Sequence, residues 1–490
     1  MTDNSSLITA ALLKTDPELY EQIDGGSSWK DEIKREGARV KLYGEYEIGD
    51  HRANMDAQLR KMLRLGAVGE SELEELNINY MEVVVDMEAS RLFVSSVTGD
   101  DADTGWIEET LQRNRFISEH GQWCREAIRD GDAYVMVDLL GNWISVSAYD
   151  GFSGMVVIHE GETGKPLWAC KLWSEAKNES KSDVSGAEMT LAVYQKDKIT
   201  WFSGSEGSAE VTKTDEKAWK PDRLPVISIM NKKDTKTGSG RSELRPAIPI
   251  NDVLNRSLHS LTIAMELAAF GVKWSIGMEI SLDGIVPGGV VGLVLKDASG
   301  NIITEPTAEQ LEFMKSIQVG QFEATDIRPF LEVINTLVEQ IGQVTSTPIR
   351  GTTSGGKMSG EALKQLEIGL LGKVERFQRQ NTNAFIDLLT LTAEVQNAYN
   401  TGLGNAPKLG AIKITWKSAE ILDVNARIEA LNKQRKDSPG LFDDNFYIEQ
   451  IGALLGLSQS EINDQKEAAK ERQGRAFDAL TGADGAVNVI

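Results

Sequence analysis

The chain has 490 residues, too many for one compact core, and with 41% apolar residues it has material for about three domains with sizeable cores. A formal net charge of -22, from 74 acidic against 52 basic residues, excludes simple wrapping on nucleic acid, which needs basic surface to displace counterions. Two cysteines, Cys124 and Cys170, exclude a disulfide framework. Met1 to Ser6 lacks the basic and apolar regions of a signal peptide, and the apolar stretches Leu261–Val272 and Gly284–Leu295 are too short or too Gly-rich to span a bilayer, so a soluble, acidic, intracellular type of protein is expected.

Residues 1 to 120 read as mostly helical. Leu7–Leu13, Trp29–Tyr43 and Met55–Leu65 show helical spacing, and an apolar run from Tyr80 to Val94 has Asp86 and Arg91 embedded in it. The clusters Lys30, Lys34, Arg35, Arg39 and Arg60, Lys61, Arg64 are interleaved with acids, the pattern of a solvated helix face. Asp101-Ala102-Asp103 hints at a calcium loop, but Gly105 sits one place early and Gln112 stands where the closing Glu belongs, so an ordinary loop is expected. From Asp130 to Asn231 the texture changes to strands. Tyr134–Val137 and Trp143–Val146 flank Leu140-Gly141-Asn142 as a hairpin, further pairs flank Gly161–Gly164 and Gln195–Lys198, and Leu224–Met230 ends the series. The polar segments 174–187 and 203–218 read as surface loops, and Asp130 and Asp132 as turn residues around Gly131.

Asn231–Arg241 is a polar link. The helix after it places Ile250, Leu254, Leu258, Leu261, Met265 and Ala268 on one face. Residues 272–305 turn β-like: Trp274 and Ile276, then Val290–Leu295, a turn at Asp297-Ala298-Ser299-Gly300-Asn301, and Ile302-Ile303. From Thr307 a helical run holds Phe313, Met314 and Ile317, breaks near Arg328-Pro329, and resumes with Leu331, Ile334, Leu337, Val338 and Ile341 until Pro348 stops it. The Gly/Thr-rich stretch Ile349–Lys357 follows. Ser359 then reads as the N-cap of a long helix carrying Leu363, Leu366, Leu370, Val374, Phe377, Phe385 and Leu388. A strand at Ala411–Trp416, helices through Ile421–Lys436 and Phe446–Leu455, and a charged run Glu461–Arg475 complete the chain.

Gly351 to Lys357 fits the first seven positions of a phosphate-cradling loop, G-x-x-x-x-G-K. The magnesium-holding Ser or Thr is replaced by Met358, and the stretch follows a helix closed by Pro348 rather than a buried strand. Nucleotide hydrolysis is therefore not expected there. The four histidines, His51, His120, His159 and His259, lack ligand spacing, and no nucleophile elbow occurs. No catalytic residue, metal site or cofactor is expected.

Asn79-Tyr80 followed by Val83–Asp86 and Ser90-Arg91-Leu92, Gly131–Val135, Asn231 with Gly240–Leu244, and Ser359–Leu363 occur in an order that resembles portal proteins of tailed double-stranded DNA phages, of the long-tailed siphovirus type. The resemblance covers roughly residues 75–460. It implies an α+β, multidomain subunit of a ring, usually of twelve copies, at one capsid vertex: wing 1–240 with its β-rich part at 130–231, first stem helix 241–272, clip 273–305, second stem helix 306–346, tunnel loop 347–358, long wing helix 359–400, and crown with C-terminal tail 401–490. It further implies that double-stranded DNA passes through without sequence reading, and that the partners are the terminase large subunit, a head-completion or adaptor protein, and capsid and scaffolding proteins. No membrane is implied. Assembly would take place in the host cytoplasm, and the product would be a virion part.

On that resemblance Arg350, Thr352, Thr353, Ser354 and Lys357 are candidates to touch the DNA backbone, since hydroxyls and single cations contact phosphates without reading bases. Pairing of Arg350 and Lys357 with acids such as Glu361 is the alternative. Trp274, Ile276, Asp297, Ser299 and Asn301 are candidates for docking the packaging motor, with a subunit–subunit contact as the alternative. A capsid-associated scaffold and a nucleotide-hydrolysing enzyme are the competing readings of the whole chain.

Overall fold

A computed structural model describes residues 4–15, 29–50, 77–149, 153–159, 166–174, 188–234, 238–270, 273–276, 307–321, 326–349, 360–399, 402–419, 424–437, 444–455 and 462–470. They belong to two units, Met1–Lys417 and Ser418–Ile490. The first unit opens with α1 (Ser5–Thr15), α2 (Trp29–Ile48) and α3 (Met81–Ala89), followed by β1 (Val94–Thr98), α4 (Asp101–Arg113) and α5 (Phe116–Asp130). The helical run expected to reach Val94 thus stops at Ala89. Val94 enters a strand paired antiparallel with β12 (Lys413–Trp416), a partner too far along the chain for any local pattern to reveal. Asp101–Asp103 is a helix start and not a loop. Carboxylates suit the positive end of a helix, and Asp103 also accepts the Gly410 N–H at 2.7 Å. The segment 55–65 lies outside the described residues.

Two antiparallel sheets follow. β2 (Asp132–Val137) sits between β3 (Trp143–Val146) and β9 (Val226–Met230), with the expected β2/β3 hairpin in place. β4 (Gly154–His159), β5 (Pro166–Ser174), β6 (Glu188–Tyr194), β7 (Lys198–Ser205) and β8 (Val211–Ala218) form a five-stranded meander. β7 and β8 overturn the loop expected at 203–218. Only Val211 of β8 is buried, so no apolar alternation marks it, and backbone pairing with β7 holds it while Lys213, Asp215 and Lys217 blunt its free edge. Leu7, Ile8, Ala11 and Leu12 of α1 fill the core beneath this sheet with Trp168, Cys170, Leu172, Met189, Leu191 and Phe202.

The long elements come next: α6 (Ile248–Phe270), β10 (Lys273–Ile276), α7 (Ala308–Ser316), β11 (Gln318–Gln321), α8 (Arg328–Thr345) and α9 (Gly360–Ala398). The run expected to be helical from Thr307 is two helices with a strand between them. Thr307 and Gln310 cap α7 reciprocally, Thr307 N–H to Gln310 Oε1 at 2.9 Å and Gln310 N–H to Thr307 Oγ1 at 3.3 Å. Then β11 pairs antiparallel with β10, Ile276 opposite Gln318 and Trp274 opposite Gly320. Pro329 in the first turn of α8 marks where helix resumes. α6 packs along α8, and α9 lies over β9, β2 and β12 with Leu370, Val374, Phe377, Phe385 and Leu388 buried as expected. Met265, on the apolar face of α6, is 51% exposed. The second unit contains α10 (Val424–Asp437) and α11 (Asp444–Leu455). Among the described residues no helix is long and apolar enough to cross a membrane.

Candidate functional site

Three of the sequence segments that stand out by order and spacing, Asn79–Leu92, Gly131–Val135 and Asn231 with Gly240–Leu244, meet at one junction, where α3, α5, α9 and the lead-in to α6 converge. Gly131, at φ +103, ends α5, and its carbonyl faces Gly240 so closely that a Cβ on Gly240 would stand 1.9 Å from it. Bare backbone permits this crossing. It is held by Asn231 N–H to Gly131 O at 2.8 Å, Arg241 N–H to Asn231 O at 2.7 Å, and Gly240 N–H to the Asp132 carboxylate at 2.9 Å.

Below the crossing lies a knot of buried charge. Lys373 of α9, 5% exposed, places its Nζ 2.9 Å from Glu88 of α3 and 3.5 Å from Glu243, both fully buried. Lys232 Nζ stands 2.7 Å from the other oxygen of Glu243, which also accepts from Asn231 Nδ2 at 3.2 Å. Burial pushes the Glu243 carboxyl up, but the two lysines with the Lys232 and Asn231 hydrogen bonds outweigh it and hold it below the usual range. Among the described residues Glu88 pairs with Lys373 alone, and there burial wins and raises it. A second knot joins α2, α3 and α5: Glu47 takes Arg125 at 2.8 Å and Arg129 at 3.0 Å, Arg125 also pairs with Asp86, and Arg129 grips Asp130 with two hydrogen bonds, at 2.8 and 2.6 Å. Burial still lifts Asp130 to about 6, and lifts the partly buried Asp132 to about 7 against the Gly240 N–H that it accepts.

Asn79 and Arg91 have structural jobs here as well. Asn79 accepts the Met81 N–H at 2.9 Å at the start of α3 and donates to Glu47 O at 2.9 Å, and Arg91 reaches Glu367 of α9 at 3.3 Å. Asn381 of α9, buried, accepts the Met230 N–H and donates to Met230 O, both at 2.9 Å, pinning the end of β9. Beside it Phe385 stacks on Trp123 at a centroid distance of 6.4 Å and meets Phe116 and Trp416 edge to face at 5.6 and 5.5 Å. The charges of the junction pair with one another, Lys373 with Glu88 and Glu243 deep inside the protein and Arg125 with Asp86 nearer its surface. What it can do is fix three helices and a sheet edge in one relation.

The sequence alone leaves Lys373, Glu88 and Lys232 unmarked, although a signal existed. Lys373 falls on the apolar stripe of Leu370, Val374 and Phe377, and Glu88 on that of Met81, Val84 and Val85. A charge at such a position must find a buried partner. Of the residues singled out in advance, Trp274 and Ile276 lie on β10, while Asp297, Ser299, Asn301, Arg350, Thr352, Thr353, Ser354 and Lys357 lie outside the described residues. Among the described residues no group of three or more His, Cys, Asp or Glu is placed to hold a metal.

Residues 71–475 match the family model described as "Phage portal protein, SPP1 Gp6-like". That stretch is most of the chain, and the fold and junction are therefore those of a phage portal protein: the chain belongs to this family. No protein of curated function matches it. Among solved structures it is similar to a chain of the "Neck of empty GTA particle computed with C6 symmetry", at 13% identity and a TM-score of 0.37 over 83% of this chain and 96% of that one. It is also similar to a chain of the "Virion of native gene transfer agent (GTA) particle", at 12% identity and a TM-score of 0.36 over 86% and 99%. Likeness at that level decides nothing further about this chain.

Proposed function

We propose that the chain is the repeating, non-enzymatic subunit of a portal ring at a capsid vertex of the phage particle, through which double-stranded DNA passes during packaging and ejection. Family membership over residues 71–475 is the observation that carries this reading. Support comes from the helix pair α6 and α8, which leaves Val253, Met265, Leu331, Val333 and Val344 between 41% and 51% exposed, apolar surface that a neighbouring copy in a ring would cover. On this reading α6 and α8 are the stem helices. Because β10 pairs with β11, the same reading assigns residues 273–321 to the clip and α8, from Arg328, to the second stem helix. The clip docks the terminase large subunit and later a head-completion protein, with Trp274, Ile276, Asp297, Ser299 and Asn301 as its candidate contacts. Capsid and scaffolding proteins surround the wing, and residues 347–358 touch DNA.

Negative-stain imaging of the purified protein is expected to show closed rings with an axial hole wide enough for duplex DNA. Light scattering that finds a single subunit's mass at every concentration and salt would overturn the ring.

A further inference from the structure

Along the buried face of α6 runs a polar stripe, Asn251, Asn255 and His259, one turn apart and each at most 1% exposed. Asn255 is fully engaged: its side chain accepts the Ile78 N–H at 2.8 Å and donates to Ile78 O at 3.2 Å. His259 differs, because neither ring nitrogen has a hydrogen-bond partner among the described residues. The other described buried ring, His120, is bonded at both nitrogens, to Phe116 O at 2.8 Å and the Val94 N–H at 3.2 Å. Three hydroxyls surround His259 in sequence and bond back one turn: Ser257 to Val253 O at 2.9 Å, Ser260 to Arg256 O at 3.0 Å, and Thr262 to Leu258 O at 3.0 Å. Such bonds compete with the backbone ladder and bend helices. A ring without partners thus sits in a stretch of helix already inclined to deform.

We propose that His259 makes this stretch of α6 an acid-sensitive joint: protonating the ring opens the helix away from the elements packed on it. An imidazolium here would be buried with two N–H donors and, among the described residues, no acceptor for either. Among the described side chains the charged groups on α6 nearby are Asp252, bonded to the Tyr46 hydroxyl at 2.5 Å, and Arg256, which is exposed. On the facing α8 they are Arg328, Glu332 and Glu339, all exposed, and the 77–80 segment adds only Tyr80. No carboxylate among these is buried against the ring. Burial accordingly lowers the affinity of His259 for a proton below that of an ordinary histidine. A base depressed in the folded state stabilises fully above the unfolded value, about 6.5, and loses that contribution as pH falls toward its folded value. One proton taken up on opening raises the opening equilibrium by up to about tenfold per pH unit across that window.

Hydrogen exchange followed by mass spectrometry on the full chain, from pH 7.5 to 5 and corrected for the intrinsic rate, reads this directly. Peptides of α6 around His259 are expected to gain opening by several-fold to tenfold per unit below about 6.5, while β6 and β7, which contain no histidine, keep a flat profile. His259→Gln and His259→Leu should each abolish the slope in α6. If the leucine variant fails to fold, the glutamine variant decides alone. An unchanged slope in a folded variant, or a wild-type α6 with no slope, overturns the proposal. Neither outcome depends on whether the protein conducts DNA.

Discussion

At Gly131 and Gly240 two backbones cross where no side chain fits. A Cβ at 240 would meet Gly131 O at 1.9 Å and Asn231 O at 2.8 Å, so Gly240→Ala must pull the strands apart and break the hydrogen bonds that tie Asn231, Arg241 and Asp132 together. Overpacking of this kind with lost buried hydrogen bonds amounts to about 3 kcal/mol or more, read as a large fall in Tm. The adjacent Asp132 gives a pH signature. Its carboxyl is raised to about 7, so its contribution to stability is intact below the unfolded value of about 3.8 and lost as pH rises through 7. Asp132→Asn keeps an acceptor for the Gly240 N–H and removes the titration. Thermal melts across pH 4 to 7 should therefore show the variant gaining on wild type as pH rises; a constant gap would mean that Asp132 ionises freely.

Among elements, the informative attachment is that of α9 to α3 and to the lead-in of α6 through one lysine. Lys373→Met leaves Glu88 and Glu243 buried with one lysine between them, and removing a partner from such a pair costs about 3–5 kcal/mol. Adding Glu88→Gln to that variant is expected to return part of the loss in denaturant titrations; strict additivity would show that the two side chains do not interact. The long helices and the meander were legible because apolar periodicity is a local signal, as in the stripe from Leu370 to Leu388. β1, β11 and β8 were not. β1 depends on β12 more than 300 residues away, Gln318–Gln321 becomes a strand only because β10 lies beside it, and β8 has a single buried side chain. The junction was half legible: its glycines, Asn231 and Glu243 stood in recognisable order, whereas Lys373 looked like one more lysine on a long helix.

For the whole molecule, the proposed function asks how a chain of net charge -22 would carry DNA without holding it. A wall rich in lysine and arginine would bind each phosphate it neutralised by releasing counterions, and the duplex would stick. An acidic wall with a few cations on one segment would avoid that, and on the proposed reading the segment after α8 supplies them. α8 ends abruptly on Ser346 in the left-handed conformation, with the Thr347 N–H turned back to Gly342 O at 2.9 Å, and Pro348 prevents any continuation. Arg350, Thr352, Thr353, Ser354 and Lys357 follow before α9 begins at Gly360. On the proposed reading Lys357 is an exposed loop residue that meets phosphates, so Lys357→Glu should leave ring assembly unchanged, since a substitution at such a position shifts stability by no more than about 0.5 kcal/mol. DNA packaging should slow markedly, because a carboxylate would then face phosphates at close range, and the defect should shrink as added salt screens the repulsion. Pairing of Lys357 with Glu361 makes the opposite forecast: the substitution sets two carboxylates near each other, weakens the start of α9, and shows itself first as a lowered Tm. A Lys357→Glu ring that assembles normally and packages a full genome at the wild-type rate would remove this segment from contact with DNA.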